Sequence, residues 1–594
     1  MASIIFSFNQ YLHTIMFRKH LSDICNLLTL VVASVYLLLI CNADVLYMAQ
    51  DRSLCLSEPS VFFHDVAHLP GGLLAWTGCW LTQLFYYPWL GATVLLLIWV
   101  ATYLLLTRAF RIPSQWRWVA LVPLMALLVS EVDLGYWIYY IKQPGYWFRE
   151  SLGLLTVSLL LWLQSAGCTS DLPHRIIHWA APCIAILTYP LIGWYAILAL
   201  VAMGIRYLLC RQWSAGSLSL LLALVVPPLL VKCYTAVRDA DAWTIGFPLI
   251  ESNFSLSWLL TVPFIVMAVA LLLMASVKAW PEIKKASLYI QASALVCMLA
   301  ASVSCNFGDY NYHAEIDMYR DMEEFRWDRL ISRMDKLPEG PTRQMVVCKN
   351  LALINLKHLG DGLFYYPNIG PDPKVNPGLE MHIAQTSAPM FYLQHGLAND
   401  AIHWCIENSV EYGLSMNDIK IMTLAAILNG ENQLAAKYIN MLRHTLFGSI
   451  WAKRYYPLTV QPEWIKDYPE LQTMKQLHDS DIEYIVGDLG DCEFRIYRHF
   501  SNTLYNPNPL FQEVALAYSL MLKNREISMI QLQSYRELHR RQKELPRYYQ
   551  EAYDLFRKME QHTLTKEEVD KMIPAVHGKT YPWFFFKVND AKTY

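Results

Sequence analysis

The chain has two differently patterned regions, which meet near Cys305. Before that residue, long apolar runs alternate with short polar stretches, and after it apolar and charged residues alternate at close spacing. A helix that crosses a bilayer needs roughly 20 mostly apolar residues, because each residue adds about 1.5 Å to its length. The first region therefore predicts about nine membrane-spanning helices, at residues 24–42, 89–107, 118–133, 150–166, 176–189, 191–206, 217–232, 256–276 and 287–304.

The composition agrees with a chain that lies partly in lipid. Of the 594 residues, 55% are hydrophobic and 16% are charged, and the mean hydropathy is +0.24. A soluble globular protein carries about 25% charged residues, so this chain has too little charge to keep its whole surface in water. The formal net charge of -2 provides no basic field for a polyanion, which argues against nucleic acid as a partner. The lipid bilayer is the first partner that the sequence predicts.

Basic residues in the short loops predict the orientation of the spans, because Lys and Arg beside a span resist translocation. Arg18 and Lys19 precede the first span, and later loops on the same side carry Arg111 and Lys284. The opposite loops are richer in acids. We therefore expect a bacterial inner-membrane protein with a cytoplasmic N-terminus and with residues 306–594 outside the cytoplasm. An arrangement of ten spans would reverse this orientation.

The sequence thus predicts an all-α protein with two domains. A transmembrane bundle covers residues 1–305 and has a long exterior loop at 43–88, and an extracytoplasmic α-helical domain covers residues 306–594. In the second domain, residues 317–336 carry apolar positions at helical spacing between charges, which indicates an amphipathic helix. The aromatic tract at 364–367 is expected to pack on its own domain. Later helices are expected near residues 510–523, 529–544 and 547–560.

Two segments of the exterior domain repeat. Gly396 and Gly430 are 34 residues apart, and Ala401 and Ala435 each follow five residues later. This spacing resembles the tetratricopeptide repeat (TPR), whose period is 34 residues. The resemblance implies that the two glycines turn the chain between paired helices and that the two alanines allow close helix contact, in TPR-like hairpins over about residues 389–445. Such hairpins could bind a protein partner; the alternative is an irregular helical domain with two similar hairpins.

The exterior loop at 43–88 carries the most informative polar residues. It contains four acids at intervals of seven residues, Asp44, Asp51, Glu58 and Asp65. Acids at a membrane surface repel one another unless they are solvated or bind a cation, a metal ion or a proton. His64 and His68 would share one face of a helix and could bind a divalent metal together with Asp65. The alternative is a loop whose charges are simply solvated.

This layout resembles the GT-C superfamily of polytopic membrane glycosyltransferases. The resemblance covers residues 1–305 and is architectural: a first exterior loop with an acid soon after the first span, and a juxtamembrane helix before the second, here at Leu69 to Tyr87. It implies a donor sugar linked to polyprenyl phosphate and an acidic catalytic residue at Asp44. The run from Pro70-Gly71-Gly72 to Trp89 also resembles an uncharacterised polytopic membrane family of Bacteroidota.

Glycosyl transfer at the exterior face would need a carboxylate, a cation for the departing phosphate and an apolar groove for the polyprenyl tail. Asp44 and Asp51 are the candidates for the carboxylate, which would accept a proton or hold a divalent metal as cofactor. Arg238, Lys232 and Arg149 are the candidates for binding the lipid phosphate. The alternative function is a non-enzymatic membrane scaffold or assembly factor that presents the helical repeats outside the membrane.

Overall fold

A computed structural model describes residues 21–54, 69–166, 172–234, 237–248, 257–282, 287–337, 340–368, 380–481, 491–541, 544–573 and 579–587. Every regular element in these ranges is a helix, and none of them contains a β-strand. The chain divides into two compact units. The first comprises the residues up to Gly308 together with Thr445–Phe447, and the second comprises Asp309–His444 and the residues from Gly448 onward.

The first unit is built from eleven helices of the described ranges that are longer than one turn. In chain order these are α1 (Leu21–Cys41), α2 (Ala43–Asp51), α3 (Gly72–Thr82), α4 (Pro88–Ala109), α5 (Val122–Val132), α6 (Tyr146–Ala166), α7 (Leu172–Leu187), α8 (Trp194–Leu209), α9 (Trp213–Val231), α10 (Val262–Ser276) and α11 (Ser287–Ser304). Two 3-10 helices, Ser114–Leu121 and Ser257–Thr261, lead directly into α5 and α10.

Several of these helices are suited to a bilayer. A helix covers each of the nine predicted segments, and five stretches in the described residues are long and apolar enough to cross a membrane: Leu21–Cys41, Pro88–Ala109, Ser114–Val132, Trp213–Val231 and Leu259–Ser276. Their outer faces expose large apolar side chains, including Leu97 at 62% and Leu224 at 63%. Such faces are stable against lipid rather than water. The number of crossings and their orientation remain predictions.

A buried polar network joins three of the apolar helices. The Asn26 side chain on α1 donates to the Tyr103 hydroxyl on α4 over 2.9 Å, and Gln291 on α11 donates to Asn26 over 2.9 Å. Ser22 in turn donates to Gln291 over 3.2 Å. Hydrogen bonds between membrane helices satisfy polar groups that have no water to bind. The network therefore fixes the register of α1 against α4 and α11.

The second unit contains the remaining α-helices of the described ranges that are longer than one turn. They are α12 (Tyr310–Glu323), α13 (Trp327–Met334), α14 (Arg343–Leu356), α15 (Glu380–Gln394), α16 (Ala398–Tyr412), α17 (Met416–Leu428), α18 (Asn432–Arg443), α19 (Gly448–Tyr455), α20 (Pro469–Ser480), α21 (Cys492–Asn502), α22 (Pro509–Met521), α23 (Arg525–Leu538), α24 (Arg547–Glu560), α25 (Lys566–Met572) and α26 (Tyr581–Lys587). The last predicted helices correspond to α22, α23 and α24. In the aromatic tract, Phe364 is buried against Tyr548 and Tyr581 of this unit, as expected.

The amphipathic segment 317–336 forms two helices rather than one, so this prediction was wrong. Phe325 has a left-handed backbone (φ +57°) and ends α12, after which α13 turns back. Arg333 on α13 then binds Asp317 and Asp321 on α12, each over 2.6 Å. The apolar spacing is helical on both sides of the break, and the charged positions that look solvent-facing in the sequence instead pair the two helices.

The two repeated segments form helix pairs with the glycines at their turns. Gly396 (φ +79°) lies between α15 and α16, and Gly430 (φ +74°) lies between α17 and α18. Ala401 and Ala435 are fully buried. These positions are what the proposed hairpins require, although a turn between two helices is common to many helical folds. The TPR-like assignment therefore stays a prediction.

Alanine substitutions at the two turns should differ in cost. A Cβ on Gly396 would lie 2.5 Å from the backbone nitrogen of His478, whereas one on Gly430 would have no atom within 4 Å. Both replacements force a left-handed alanine at a cost of roughly 1–2 kcal/mol, and Gly396→Ala adds overpacking of about 1–3 kcal/mol. Thermal unfolding of the detergent-solubilised protein should rank Gly396→Ala clearly below Gly430→Ala. Equal melting temperatures would contradict this packing of the Gly396 turn against α20.

The second unit should lose stability in mild acid because of His395. This side chain is buried, its Nε2 lies 2.5 Å from the Tyr518 hydroxyl oxygen, and burial lowers its pKa to about 4. Between this pKa and the unfolded value of about 6.5, the unfolded chain binds more protons, so stability is lost as the pH falls through that window.

We expect the free energy of unfolding to fall by up to about 3 kcal/mol from pH 6.5 to pH 4 on account of His395. His395→Gln, which cannot titrate, should show a correspondingly flatter pH dependence. Chemical unfolding of both proteins at half-unit pH intervals measures the difference. Parallel curves for the two proteins would show that His395 is not protonated differently in the folded state.

Candidate functional site

Three helix N-termini meet in the first unit. The Gly71 N–H, at the start of α3, donates to the Pro190 carbonyl over 3.0 Å, and the Trp194 N–H, the first residue of α8, donates to the Ile245 carbonyl over 3.0 Å. The start of α6 packs beside α3, where a side chain on Gly78 would collide with the Gly145 carbonyl at 2.6 Å. The glycines therefore permit an approach that larger residues would prevent.

Arg149, in the first turn of α6, lies in a cradle formed by Gly71 and Gly246, and Gly193 packs against Gly71 beside it. A Cβ on Gly246 would lie 2.6 Å from Arg149 Nη2, and one on Gly71 would lie 3.2 Å from it. The bare backbones thus enclose the guanidinium, and Arg149 is only 7% exposed. We call this arrangement the Arg149 cradle.

The guanidinium of Arg149 lacks a hydrogen-bonded partner in the described part of the chain. Its Nε is buried and makes no hydrogen bond. A buried charge is costly unless it is paired, and the positive ends of three helix dipoles raise the cost for a cation further. The same features favour an anion, because an arginine and the positive ends of helix dipoles both attract phosphate or carboxylate oxygens. The Arg149 cradle is therefore a candidate anion site.

Two buried acids lie beside the cradle. Glu150, 1% exposed, interacts electrostatically with Arg149 and accepts a hydrogen bond from the Tyr195 hydroxyl at Oε2. Glu131, on α5 and 2% exposed, lies close enough to interact electrostatically with Glu150. Within the described residues, Glu150 Oε1 and Glu131 Oε2 are buried without hydrogen-bond partners. Buried polar atoms in this state are uncommon and call for a functional explanation.

The first unit also contains an apolar cavity. Tyr146, beside the acids, donates from its hydroxyl to the Ser130 carbonyl over 3.1 Å, and its ring lies edge-on to Phe264, with 6.2 Å between centroids. Phe264 follows Pro263, a residue of the cavity wall. The cavity has a volume of about 210 Å³ and an almost wholly apolar wall. Its lining comes from α5, α10 and α11 and includes Val122, Met125, Val129, Val262, Pro263 and Met298. It could hold a hydrocarbon chain.

The predicted site residues differ in how far the fold buries them. Asp44 is half-buried near the start of α2, and Asp51 is buried at its end. Of the three basic candidates for phosphate binding, only Arg149 is enclosed by the fold, whereas Arg238 and Lys232 are exposed. His64, Asp65 and His68 lie outside the described residues. In the ranges that are described, no group of three or more His, Cys, Asp or Glu side chains could hold a metal ion.

Sequence reasoning missed Glu150, Glu131 and Tyr195 as site residues. The sequence predicts that Glu131 and Glu150 lie in an exterior loop, because each is at the edge of an apolar run. The available signal is that an ionisable residue inside a membrane segment usually has a function. Glu131 carries that signal because it lies within the apolar stretch Ser114–Val132.

The described residues thus define a class of all-helical protein. Its first unit has apolar helices able to cross a membrane, and its second unit is also helical. The chain belongs to a family of unknown function, DUF6057, whose profile matches residues 18–575. No curated protein and no solved structure matches it. The family assignment carries no activity, so a function has to be argued from the site itself.

Two tyrosine substitutions test the geometry of the acidic cluster. Tyr195→Phe would remove the hydrogen bond to the buried Glu150 carboxylate, a bond to a charged group worth about 1.5–3 kcal/mol. Tyr189→Phe is the matched control, because Tyr189 is also fully buried and donates to the Ala242 carbonyl over 2.6 Å, a neutral acceptor whose bond contributes about 0.5–1.5 kcal/mol. Unfolding in detergent should show the larger loss for Tyr195→Phe; the reverse order would argue against a charged Glu150.

Proposed function

We propose that the protein is an integral membrane enzyme that transfers a sugar from a polyprenyl-phosphate-linked donor to an envelope acceptor, as its resemblance to the GT-C superfamily implies. The observation that carries this proposal is the Arg149 cradle. A buried guanidinium that lacks a hydrogen-bonded partner in the described residues, at three converging helix N-termini, suits the phosphate of such a donor. The proposal places the reaction at the extracytoplasmic face of a bacterial inner membrane.

The distribution of polar and apolar surfaces supports a lipid-linked donor over a soluble one. The proposed anion site lies in the unit that contains the apolar helices, and the cavity lined by α5, α10 and α11 offers an apolar wall in the same unit. A phosphate with a long apolar tail needs both an anion site and an apolar surface. A soluble sugar nucleotide would instead need polar contacts for its base and ribose.

The chemistry can be assigned to groups in this unit. Arg149 would stabilise the charge that develops on the departing lipid phosphate, which is where preorganised cations contribute most to catalysis. Asp44 or Asp51 on α2 would accept the proton of the acceptor hydroxyl or help to hold a divalent metal. Arg238 and Lys232 are exposed and would serve to attract the anionic substrate rather than to hold it.

A non-enzymatic scaffold is the second candidate function. It is favoured by two apolar side chains on α16, in the repeat-like hairpins: Ile406 is 50% exposed and Val410, one turn later, is 82% exposed. Exposed apolar neighbours of this kind can form the centre of a protein interface. The scaffold function does not require a buried arginine in the first unit, so the two functions predict different sensitive residues.

Binding of undecaprenyl phosphate to the full-length protein in lipid nanodiscs tests the proposal. Arg149→Gln removes charge-assisted hydrogen bonds worth about 1.5–3 kcal/mol, so we expect the dissociation constant to rise roughly 10- to 150-fold. Gly246→Ala should also weaken binding, because its Cβ would press on Arg149 Nη2. Titration followed by native mass spectrometry provides the measurement.

Arg238→Gln is the matched control, since Arg238 is an exposed arginine of the same unit and should change the dissociation constant less than threefold or so. In a deletion strain, the wild-type gene should restore the envelope glycans and Arg149→Gln should not. Normal glycans in the deletion strain, or equal binding by Arg149→Gln and the wild type, would reject the enzymatic function and favour the scaffold.

A further inference from the structure

The acid nearest to the Arg149 cradle is Glu150, which follows Arg149 in the chain. Its carboxylate interacts electrostatically with the Arg149 guanidinium, and the Tyr195 hydroxyl donates to Oε2 and so fixes the orientation of the group. The other oxygen, Oε1, is buried and has no hydrogen-bond partner among the described residues. A carboxylate held in this way offers one oriented, water-free oxygen to a ligand.

The burial of Oε1 is not explained by folding alone. An unsatisfied buried acceptor destabilises a fold, whereas a hydrogen-bond donor from a ligand would relieve that cost on binding. Arg149 interacts with Glu150 electrostatically but does not donate to Oε1, and its own Nε is also without a hydrogen-bond partner among the described residues. The fold thus keeps a donor and an acceptor side by side without joining them, as a site for a ligand with both an anionic group and a hydroxyl would require.

We propose that Glu150 Oε1 is the proton acceptor for the sugar acceptor's hydroxyl, while Arg149 holds the phosphate of the donor. This inference rests on the proposed function, and it transfers the role of base from α2 to α6. Adjacent positions on one helix set the cation and the base in a fixed relation, which a transferase needs because the attacking and departing oxygens lie on opposite sides of one carbon.

The step balances as follows. The acceptor's O–H bond breaks and its proton passes to Glu150 Oε1, while the acceptor oxygen forms a bond to the anomeric carbon. The bond between that carbon and the phosphate oxygen breaks, and its electron pair leaves with the lipid phosphate, facing Arg149. The product is a glycoside, with free polyprenyl phosphate and a protonated Glu150 that returns its proton to solvent after release.

Glu131 favours retention of the transferred proton on the acidic pair during the step. Two carboxylates that interact in a low-dielectric site repel each other, and one proton on the pair relieves that repulsion. The other ionisable groups that face Glu150 in the described residues are Arg149 and Tyr146 on its own helix and Tyr195 on α8. Both tyrosine hydroxyls donate, Tyr195 to Glu150 and Tyr146 to the Ser130 carbonyl, and neither neutralises the pair.

The test compares binding with transfer in the full-length protein. Undecaprenyl phosphate carrying a radiolabelled hexose or pentose is the donor probe, and membranes of a deletion strain supply the acceptor. Glu150→Gln keeps the size of the side chain and an oxygen for the Tyr195 hydroxyl, so it should bind undecaprenyl phosphate within about threefold of the wild type. Its transfer rate should fall by about 10²–10⁴, the usual effect of losing a general base.

Two further variants separate catalysis from structure. Glu150→Asp retains a carboxylate and should restore part of the rate with an altered pH profile, which a purely structural defect would not produce. Glu282→Gln replaces an exposed glutamate of the same unit and should transfer at the wild-type rate. If Glu150→Gln folds poorly, its melting temperature will show this. The transfer rate of Glu150→Asp per folded molecule then decides whether Glu150 is the base.

The failures of the two proposals are distinguishable. If the wild type transfers sugar and Glu150→Gln does so at a similar rate, while Asp44→Asn is inactive, the base is Asp44 and this inference is overturned, although the proposed function stands. If Arg149→Gln binds undecaprenyl phosphate as the wild type does, or the wild type transfers no sugar from any donor, the proposed function fails and the role of Glu150 fails with it.

Discussion

The first unit depends on the burial of one positive charge among helix N-termini. Arg149 is buried, with 7% of the residue exposed, yet the described residues give its guanidinium no hydrogen-bonded counter-charge. Desolvating a cation costs several kcal/mol, and the aligned dipoles of α3, α6 and α8 oppose it. Packing elsewhere in the bundle has to offset this cost. An anion bound at the proposed site would lower this cost.

Glycine makes this burial possible. The sequence did not predict the cradle, because the glycines that form it are distant from one another in the chain. Gly71, Gly193 and Gly246 lie far apart in the sequence and share positive φ angles. In the fold, Gly71 and Gly246 lie against Arg149, and Gly193 packs on Gly71. The Pro70-Gly71-Gly72 run predicts a turn. Nothing in the spacing of the three positions indicates that they meet, because the meeting is produced by the packing of α3 against α6 and of residues 245–247 against α8.

The sequence was most informative where one physical constraint acts alone. Long apolar runs can only be buried or face lipid, so each predicted segment in residues 1–305 contains a helix, with ends displaced by a few residues. In the second unit apolar spacing gave the helices but not their breaks, as Phe325 shows, because the break depends on ion pairs formed only after folding. At the site, the same limit applied: Arg149 was identified by its charge, whereas Glu150 and Glu131 were overlooked because only the fold shows that they are buried and interact.

Charged side chains have two roles in this molecule. In the second unit, ion pairs join helices: Arg333 binds Asp321 over 2.6 Å, and Lys420 binds Glu323 over 2.5 Å. In the first unit Arg149, Glu150 and Glu131 each keep a buried polar atom without a hydrogen-bond partner in the described residues. Arg149 interacts electrostatically with Glu150, and Glu150 with Glu131. Because these three groups lie together, they can act on one ligand, which is why we place the proposed binding site at the Arg149 cradle rather than in the helical repeats.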